Sequence, residues 1–155
     1  VDECQVESDL ELLLPATYVT GSSERMLLYR ELDSLTLDKD VEAFRNRLID
    51  RFGPVPSETE ELLRIVPLRR LAARLGAEKV FLKGGRMSLF FISNPESPYY
   101  QSQAFGKVIA YMMKYTRRCD LREQNTRRSM LVKDVKNVET AVGVLQEIVA
   151  MQVEE

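Results

Sequence analysis

Apolar residues recur three or four positions apart over much of this chain, and departures from that rhythm mark where the elements change. Leu28, Leu32 and Leu35, with Tyr29 beside them, share one side of a predicted helix that Ser22 or Ser23 is placed to cap. Val41, Phe44, Leu48, Ile49 and Phe52 repeat the spacing and predict a second helix after Asp38. The stretch LIDRFGPVPSETEELL, residues 48–63, then turns the chain. Gly53 suits the left-handed conformation that ends a helix, Pro54 prevents continuation, and Pro56 biases Val55 toward an extended backbone. Ser57 and Glu60 have the spacing of a capping box, so a third helix is predicted over 58–75. Pro67 lacks the amide that a helix interior needs, which predicts a kink or break near Val66. Leu68, Leu71, Ala72 and Leu75 form a stripe beyond it, and Gly76 supplies the stop.

After Gly76 the period changes from helical to alternating. Val80 and Leu82 precede Gly84-Gly85, and Met87, Leu89 and Phe91 follow it, which predicts a tight hairpin. Residues 93–100 contain two prolines and read as a loop before a helix that ends near residue 116, with Phe105, Val108, Ile109 and Met112 on its packed face. A second pair of strands, 119–124 and 128–133, flanks Asn125-Thr126. The last helix is predicted from Asp134, with Val138, Ala141, Leu145 and Ile148 on one side. Residues 4–14 mix alternation with an apolar finish and read as an extended arm or edge strand ending before Pro15. The expected fold is therefore α+β: one compact domain over 1–155, with 1–14 as its arm and several helices packed on short antiparallel hairpins.

Composition narrows the function classes. The 155 residues are 45% hydrophobic and 30% charged, ordinary for a folded soluble chain, with a formal charge of -2. No global field recruits nucleic acid or an anionic membrane, although charge is uneven. Asp2, Glu3, Glu7, Asp9 and Glu11 precede any basic residue. Arg117, Arg118, Arg122, Arg127, Arg128 and Lys133 form a basic run farther on, interrupted by Asp120 and Glu123. With Tyr99, Tyr100, Tyr111 and Tyr115 nearby, that run is the alternative site, a nucleic-acid contact. The two cysteines, Cys4 and Cys119, suit a reducing compartment, so a cytoplasmic location is expected. No apolar run is long enough to span a membrane. The first residue is Val and not Met, so the chain is expected to be cut from something larger.

Histidine is absent, which removes Ser-His-Asp and Cys-His catalysis and the usual imidazole base. Gly84-Gly85 lacks the spacing and the following Lys-Ser/Thr of a phosphate-binding loop. No metal-ligand cluster is present, and Glu58, Glu60 and Glu61 read as first-turn charges of a helix. A charged face without a catalytic centre points to an interaction or regulatory module. Arg47, Asp50 and Arg51 share the polar side of the second helix and are the candidate interface, while Phe52, Gly53, Pro54 and Pro56 form a structural corner.

The order of LLLP, RMLLYRELDSL, LIDRFGPVP and ETEELLRIVPLRRLAARLG resembles the extreme C-terminal domain of the bacterial transcription-repair-coupling factor (Mfd) family. The resemblance covers nearly the whole chain, is strongest across residues 10–76 and loosens after Gly85. It implies a parent enzyme of the nucleotide-excision-repair pathway. That parent would hydrolyse ATP with magnesium in an upstream motor, translocate on double-stranded DNA, release stalled RNA polymerase and recruit UvrA. The domain itself would hold no cofactor and would pack on the N-terminal UvrB-like region of the same polypeptide, masking UvrA binding and restraining the motor. Carried onto this chain, Asp50 is the candidate for a salt bridge to that region, its carboxylate accepting from a cation there. Arg47 departs from the acidic residue that some relatives carry one turn earlier.

Overall fold

The computed structural model describes residues 3–153; Asp2 of the acidic start and the Glu154-Glu155 tail lie outside it. Its elements run in the order β1 (Gln5–Ser8), α1 (Ser22–Ser34), α2 (Asp38–Phe52), α3 (Ser57–Arg74), β2 (Ala77–Lys83), β3 (Arg86–Phe91), a 3-10 turn at Pro98–Gln101, α4 (Gln103–Lys114), β4 (Cys119–Gln124), β5 (Arg127–Val132) and α5 (Val138–Ala150). The fold is α+β, with helices packed against a sheet built largely from antiparallel hairpins. Contacts gather the described residues into two compact units, one helical over Glu11–Pro67 and one containing the sheet, made of the described residues up to Leu10 and from Leu68 onward.

In the sheet unit the strand order is β1-β2-β3-β5-β4. The β2–β3 hairpin turns at Gly84 and Gly85, whose φ values of 61° and 72° are the two positive angles of a type I′ turn. The β4–β5 hairpin turns in the same way at Asn125 and Thr126, with φ of 53° and 64°. The hairpins join through antiparallel β3 and β5, pairing Leu89 with Met130. At the other edge β1 runs parallel to β2, with Val6 opposite Val80. Alternation sends Val80, Leu82, Met87, Leu89, Phe91, Met130 and Val132 to one face, where each is at most 2% exposed. Helix α4 covers part of it, placing Phe105 edge-on to Phe91 with ring centroids 5.8 Å apart.

The helical unit is built on a smaller core of Leu14, Val19, Leu32, Phe44, Leu48, Leu63 and Val66. Side chains tie its loop backbone to the helices. The Leu14 amide donates to the Tyr29 hydroxyl at 2.7 Å, the Thr59 hydroxyl donates to the Leu13 carbonyl at 2.7 Å, and the Tyr18 hydroxyl donates to the Gly53 carbonyl at 2.8 Å.

Several helix ends differ from the sequence expectation. Gly21, and not Ser22 or Ser23, occupies the cap position of α1, and both serines lie within the helix. Pro56 opens α3, its carbonyl accepting the Glu60 amide at 2.9 Å, while the Glu60 carboxylate takes Arg45 in place of a reciprocal cap. Helix α3 runs through Pro67 without a break. Val66 and Leu68, 2% and 0% exposed, anchor the helix on both sides of the proline, and such burial outweighs the roughly 3 kcal/mol propensity penalty. Helix α5 starts at Val138, four residues later than Asp134, because Asn137 caps it by accepting the Thr140 amide at 2.7 Å. Asp134 instead sits at φ 57°, outside any right-handed helix. Gly53 has the expected positive φ of 89°, but ψ of -164° puts it outside the left-handed helical basin.

Candidate interaction face

Helices α1 and α2 pack along Leu28, Leu32, Phe44 and Leu48, the apolar positions that the helical period selects. Polar side chains close over that seam. Arg47 pairs with Glu31, and Arg51 pairs with Glu24, so both arginines of the candidate site bond across to α1. Their guanidinium carbons also lie over rings, Arg47 at 5.5 Å from the Phe44 centroid and Arg51 at 4.9 Å from that of Phe52. A shallow groove of about 110 Å³ between the helices is lined by Leu28, Glu31, Phe44, Arg47, Leu48, Arg51 and Phe52.

Asp50 is left out of this network. It is exposed on the last turn of α2, and neither neighbouring arginine turns to it. Its carboxylate therefore keeps its acceptor capacity for water or for an incoming cation. The partners that sequence reasoning did not assign are Glu24 and Glu31. Their separation of two helical turns on the Leu28 side of α1 is the signal that could have paired them with Arg47 and Arg51.

The corner after α2 has a structural explanation throughout. Phe52 packs against Tyr18 with ring centroids 5.6 Å apart, and the Gly53 amide closes α2 on the Ile49 carbonyl at 2.9 Å. Pro54 is exposed, Val55 rests on the helical core, and Pro56 directly precedes α3, its carbonyl accepting the first-turn Glu60 amide.

The alternative basic residues scatter over the second hairpin and its flanks. Arg118 donates from Nε to the Lys133 carbonyl at 2.9 Å and from a terminal nitrogen to the Asp134 carbonyl at 3.2 Å. Arg128 lies 4.3 Å from the Tyr100 ring centroid and faces Glu123. Strand register puts Arg122 and Arg127 on the opposite side of the hairpin from Arg128. Arg117 and Lys133 are exposed at the ends of the hairpin. Tyr111 is fully buried, and burial raises the pKa of its phenol. Tyr99 is also raised by burial and donates to the Leu75 carbonyl, Tyr100 donates to the Ile92 carbonyl, and Tyr115 donates to Glu147. The tyrosines thus serve as packing groups with satisfied hydroxyls.

Both cysteines are buried and unbridged. Burial pushes the Cys4 thiol up to about 11, with Arg69 pulling the other way. Among the described residues, no group of three or more Cys, Asp or Glu is placed to hold a metal, and no helix is long and apolar enough to cross a membrane.

Comparison with known proteins converges on one group. The family described as TRCF domain matches residues 8–102. The transcription-repair-coupling factor of Rickettsia bellii (strain RML369-C) is 28% identical over 116 residues, covering 75% of this chain and 10% of that protein. Its counterpart from Rickettsia prowazekii (strain Madrid E) is 27% identical over 138 residues, covering 88% and 12%. A crystal structure of the C-terminal domain of a transcription-repair coupling factor superposes with a TM-score of 0.69 over 96% of this chain and 94% of that one, at 17% identity. The chain thus spans about a tenth of the length of these curated relatives.

Proposed function

Because this chain belongs to the TRCF-domain family, we propose that it acts as a non-catalytic regulatory domain within a transcription-repair-coupling factor. In this reading the parent is an ATP-dependent DNA translocase that releases stalled RNA polymerase and recruits excision repair. The domain holds the N-terminal UvrB-like region of its own polypeptide, hides the UvrA-binding surface and restrains the motor.

The observation that carries the reading is the division of labour on α2. Arg47 and Arg51 are occupied by α1 carboxylates, whereas Asp50 beside them is exposed and has no partner among the described residues. A face of that kind has a prearranged rim and one anionic acceptor, suited to an arginine or lysine on the partner. Exposed ion pairs contribute only about 0 to 1 kcal/mol each, so the contact is weak when the two parts are separate. Tethering in one polypeptide supplies an effective concentration of roughly millimolar, enough to keep such a contact closed while leaving it displaceable. A partner that binds the open form more tightly then shifts the population toward release.

The test uses the full-length factor. Deleting this domain should raise both UvrA binding and ATP hydrolysis. Asp50→Arg in the full-length protein should raise them in the same direction by about three- to tenfold, with circular dichroism of the isolated chain unchanged. If deletion moves neither quantity, the restraining role is wrong. If deletion moves both but Asp50→Arg moves neither, the role stands and Asp50 leaves the interface.

A further inference from the structure

The sheet has a second face, and its chemistry is unlike that of the rest of the chain. Alternation puts Lys79, Phe81 and Lys83 of β2 on this face, with Arg86 and Phe90 of β3, Arg127 of β5 and Arg122 of β4 beside them. Five cations lie here, three of which pair with the carboxylates Glu7, Asp120 and Glu78, while Asp9 at the β1 edge accepts the Gly84 amide, in a chain whose net charge is -2. The pairs they make are loose: Lys83 to Glu7 at 3.4 Å, Arg122 to Asp120 at 3.7 Å and Arg127 to Glu78 at 3.5 Å. Lys79 and Arg86 have no carboxylate partner among the described residues. Loose, solvent-screened pairs exchange readily for a stronger anion.

Two phenyl rings interrupt the charge. Phe81 and Phe90 are half-buried on adjacent strands, with centroids 5.2 Å apart at 72°. Lys83 Nζ lies 5.0 Å and Lys79 Nζ 5.6 Å from the Phe81 centroid, and the Arg127 guanidinium carbon lies 5.8 Å from that of Phe90. Beside Phe90 an open groove of about 330 Å³ runs toward β4, lined by Ser88, Arg122, Asn125, Arg127 and Ser129. Arg127 Nε, on one of the side chains lining it, is buried without a hydrogen-bond partner among the described residues.

We infer that this open sheet face binds single-stranded nucleic acid, with unpaired bases stacked on Phe81 and Phe90 and phosphates held by the flanking cations. Rings interleaved with cations on a sheet match the two requirements of a single strand, a π-surface for each base and neutralisation of its backbone. The strands are about 4.8 Å apart, so β2 and β4, three intervals apart in the sheet, offer cations over about 14 Å. An acidic peptide would use the cations and leave the rings without a role. Duplex DNA keeps its bases stacked inside and would do the same.

Fluorescence anisotropy of the whole chain with a labelled oligothymidylate of about twelve nucleotides tests the inference. Saturable binding should weaken about tenfold or more between roughly 50 and 200 mM salt. Phe90→Leu should weaken it about fivefold with the salt slope unchanged, whereas Lys79→Gln and Arg122→Gln should each reduce the slope by about 0.7. Arg30→Gln, on exposed α1, should leave binding unchanged. Circular dichroism reports folding of each variant, and the two surface variants keep the test decisive should Phe90→Leu unfold. The inference is overturned if the oligonucleotide does not saturate. It is equally overturned if a duplex of the same length binds as tightly, if an oligoglutamate peptide displaces the strand at equal charge, or if folded Phe90→Leu binds like the parent.

Discussion

The helical unit and the sheet unit achieve order by different means. In the sheet unit, position is dictated by register: once Gly84-Gly85 and Asn125-Thr126 close their hairpins, alternation decides which side chains are buried. In the helical unit no such ladder exists, and long-range side-chain bonds locate the loop at 11–20. Tyr29, Thr59 and Tyr18 each reach a backbone group at least fifteen residues away in sequence. A backbone ladder tolerates variation on its open face, whereas a few side-chain bonds around a small core concentrate stability in single residues. The comparison teaches where each unit is fragile.

The largest effect expected follows from the smaller core. Phe44 is 1% exposed at the centre of the helical unit, so Phe44→Ala should cost about 3–5 kcal/mol through lost burial and the cavity left behind. Amide hydrogen exchange should accelerate across α1 and α2 more than across β2 and β3. Equal acceleration in both units would break the contrast.

A somewhat smaller effect separates two glycines of the sheet unit. Gly76 has φ of 85°, and a Cβ there would stand 2.2 Å from the Tyr99 ring, which is held by its bond to the Leu75 carbonyl. Gly84 has φ of 61° with nothing within 4 Å of its Cβ position. Gly76→Ala should therefore cost about 3 kcal/mol and Gly84→Ala about 1 kcal/mol, measured by urea unfolding. Similar losses would mean that packing against Tyr99 does not set the end of α3.

The smallest effect appears in alkali. Burial raises Cys4, Tyr99, Tyr100, Tyr111 and Cys119 in the sheet unit, against Tyr18 in the helical unit. A raised folded pKa means that the unfolded chain gives up its proton first. The stabilisation is thus complete below the unfolded pKa and disappears as pH climbs through the folded one. For Cys4 the window runs from about 9 to about 11, worth about 1 kcal/mol at its midpoint. Melting temperature should fall over that range, less steeply in Cys4→Ala, and exchange should rise first in the sheet unit. Earlier loss in the helical unit would reverse the comparison.

Particular residues show how far local reading reached. Leu28, Leu32, Phe44 and Leu48 carry a helical period strong enough to identify both α1 and α2, and the glycine pair identifies the first hairpin. Caps were less legible, because Ser57 and Glu60 have capping-box spacing in sequence while Arg45, fifteen residues earlier, competes for the Glu60 carboxylate. The continuity of α3 through Pro67 was hidden for the same reason: the burial of Val66 and Leu68 that outweighs the proline is not a local property. At the candidate face, Arg47, Asp50 and Arg51 read as one polar group. Their separation into two bonded arginines and one free carboxylate depended on Glu24 and Glu31 of another helix.

By itself, the order of residues determined which segments are helical, the two tight turns, the class of fold and the family, because each rests on spacing within a few residues or on a linear motif; it did not determine the helix caps or the continuity of α3. Tertiary structure alone decided that β1 joins the sheet parallel to β2, some seventy residues away in sequence, and that Phe81, Phe90, Arg122 and Arg127 share an open face. It also chose the partners of the charged side chains. The physical reason is range: backbone preferences act between near neighbours, while burial and ion pairing act across space, between residues that only the folded chain brings together.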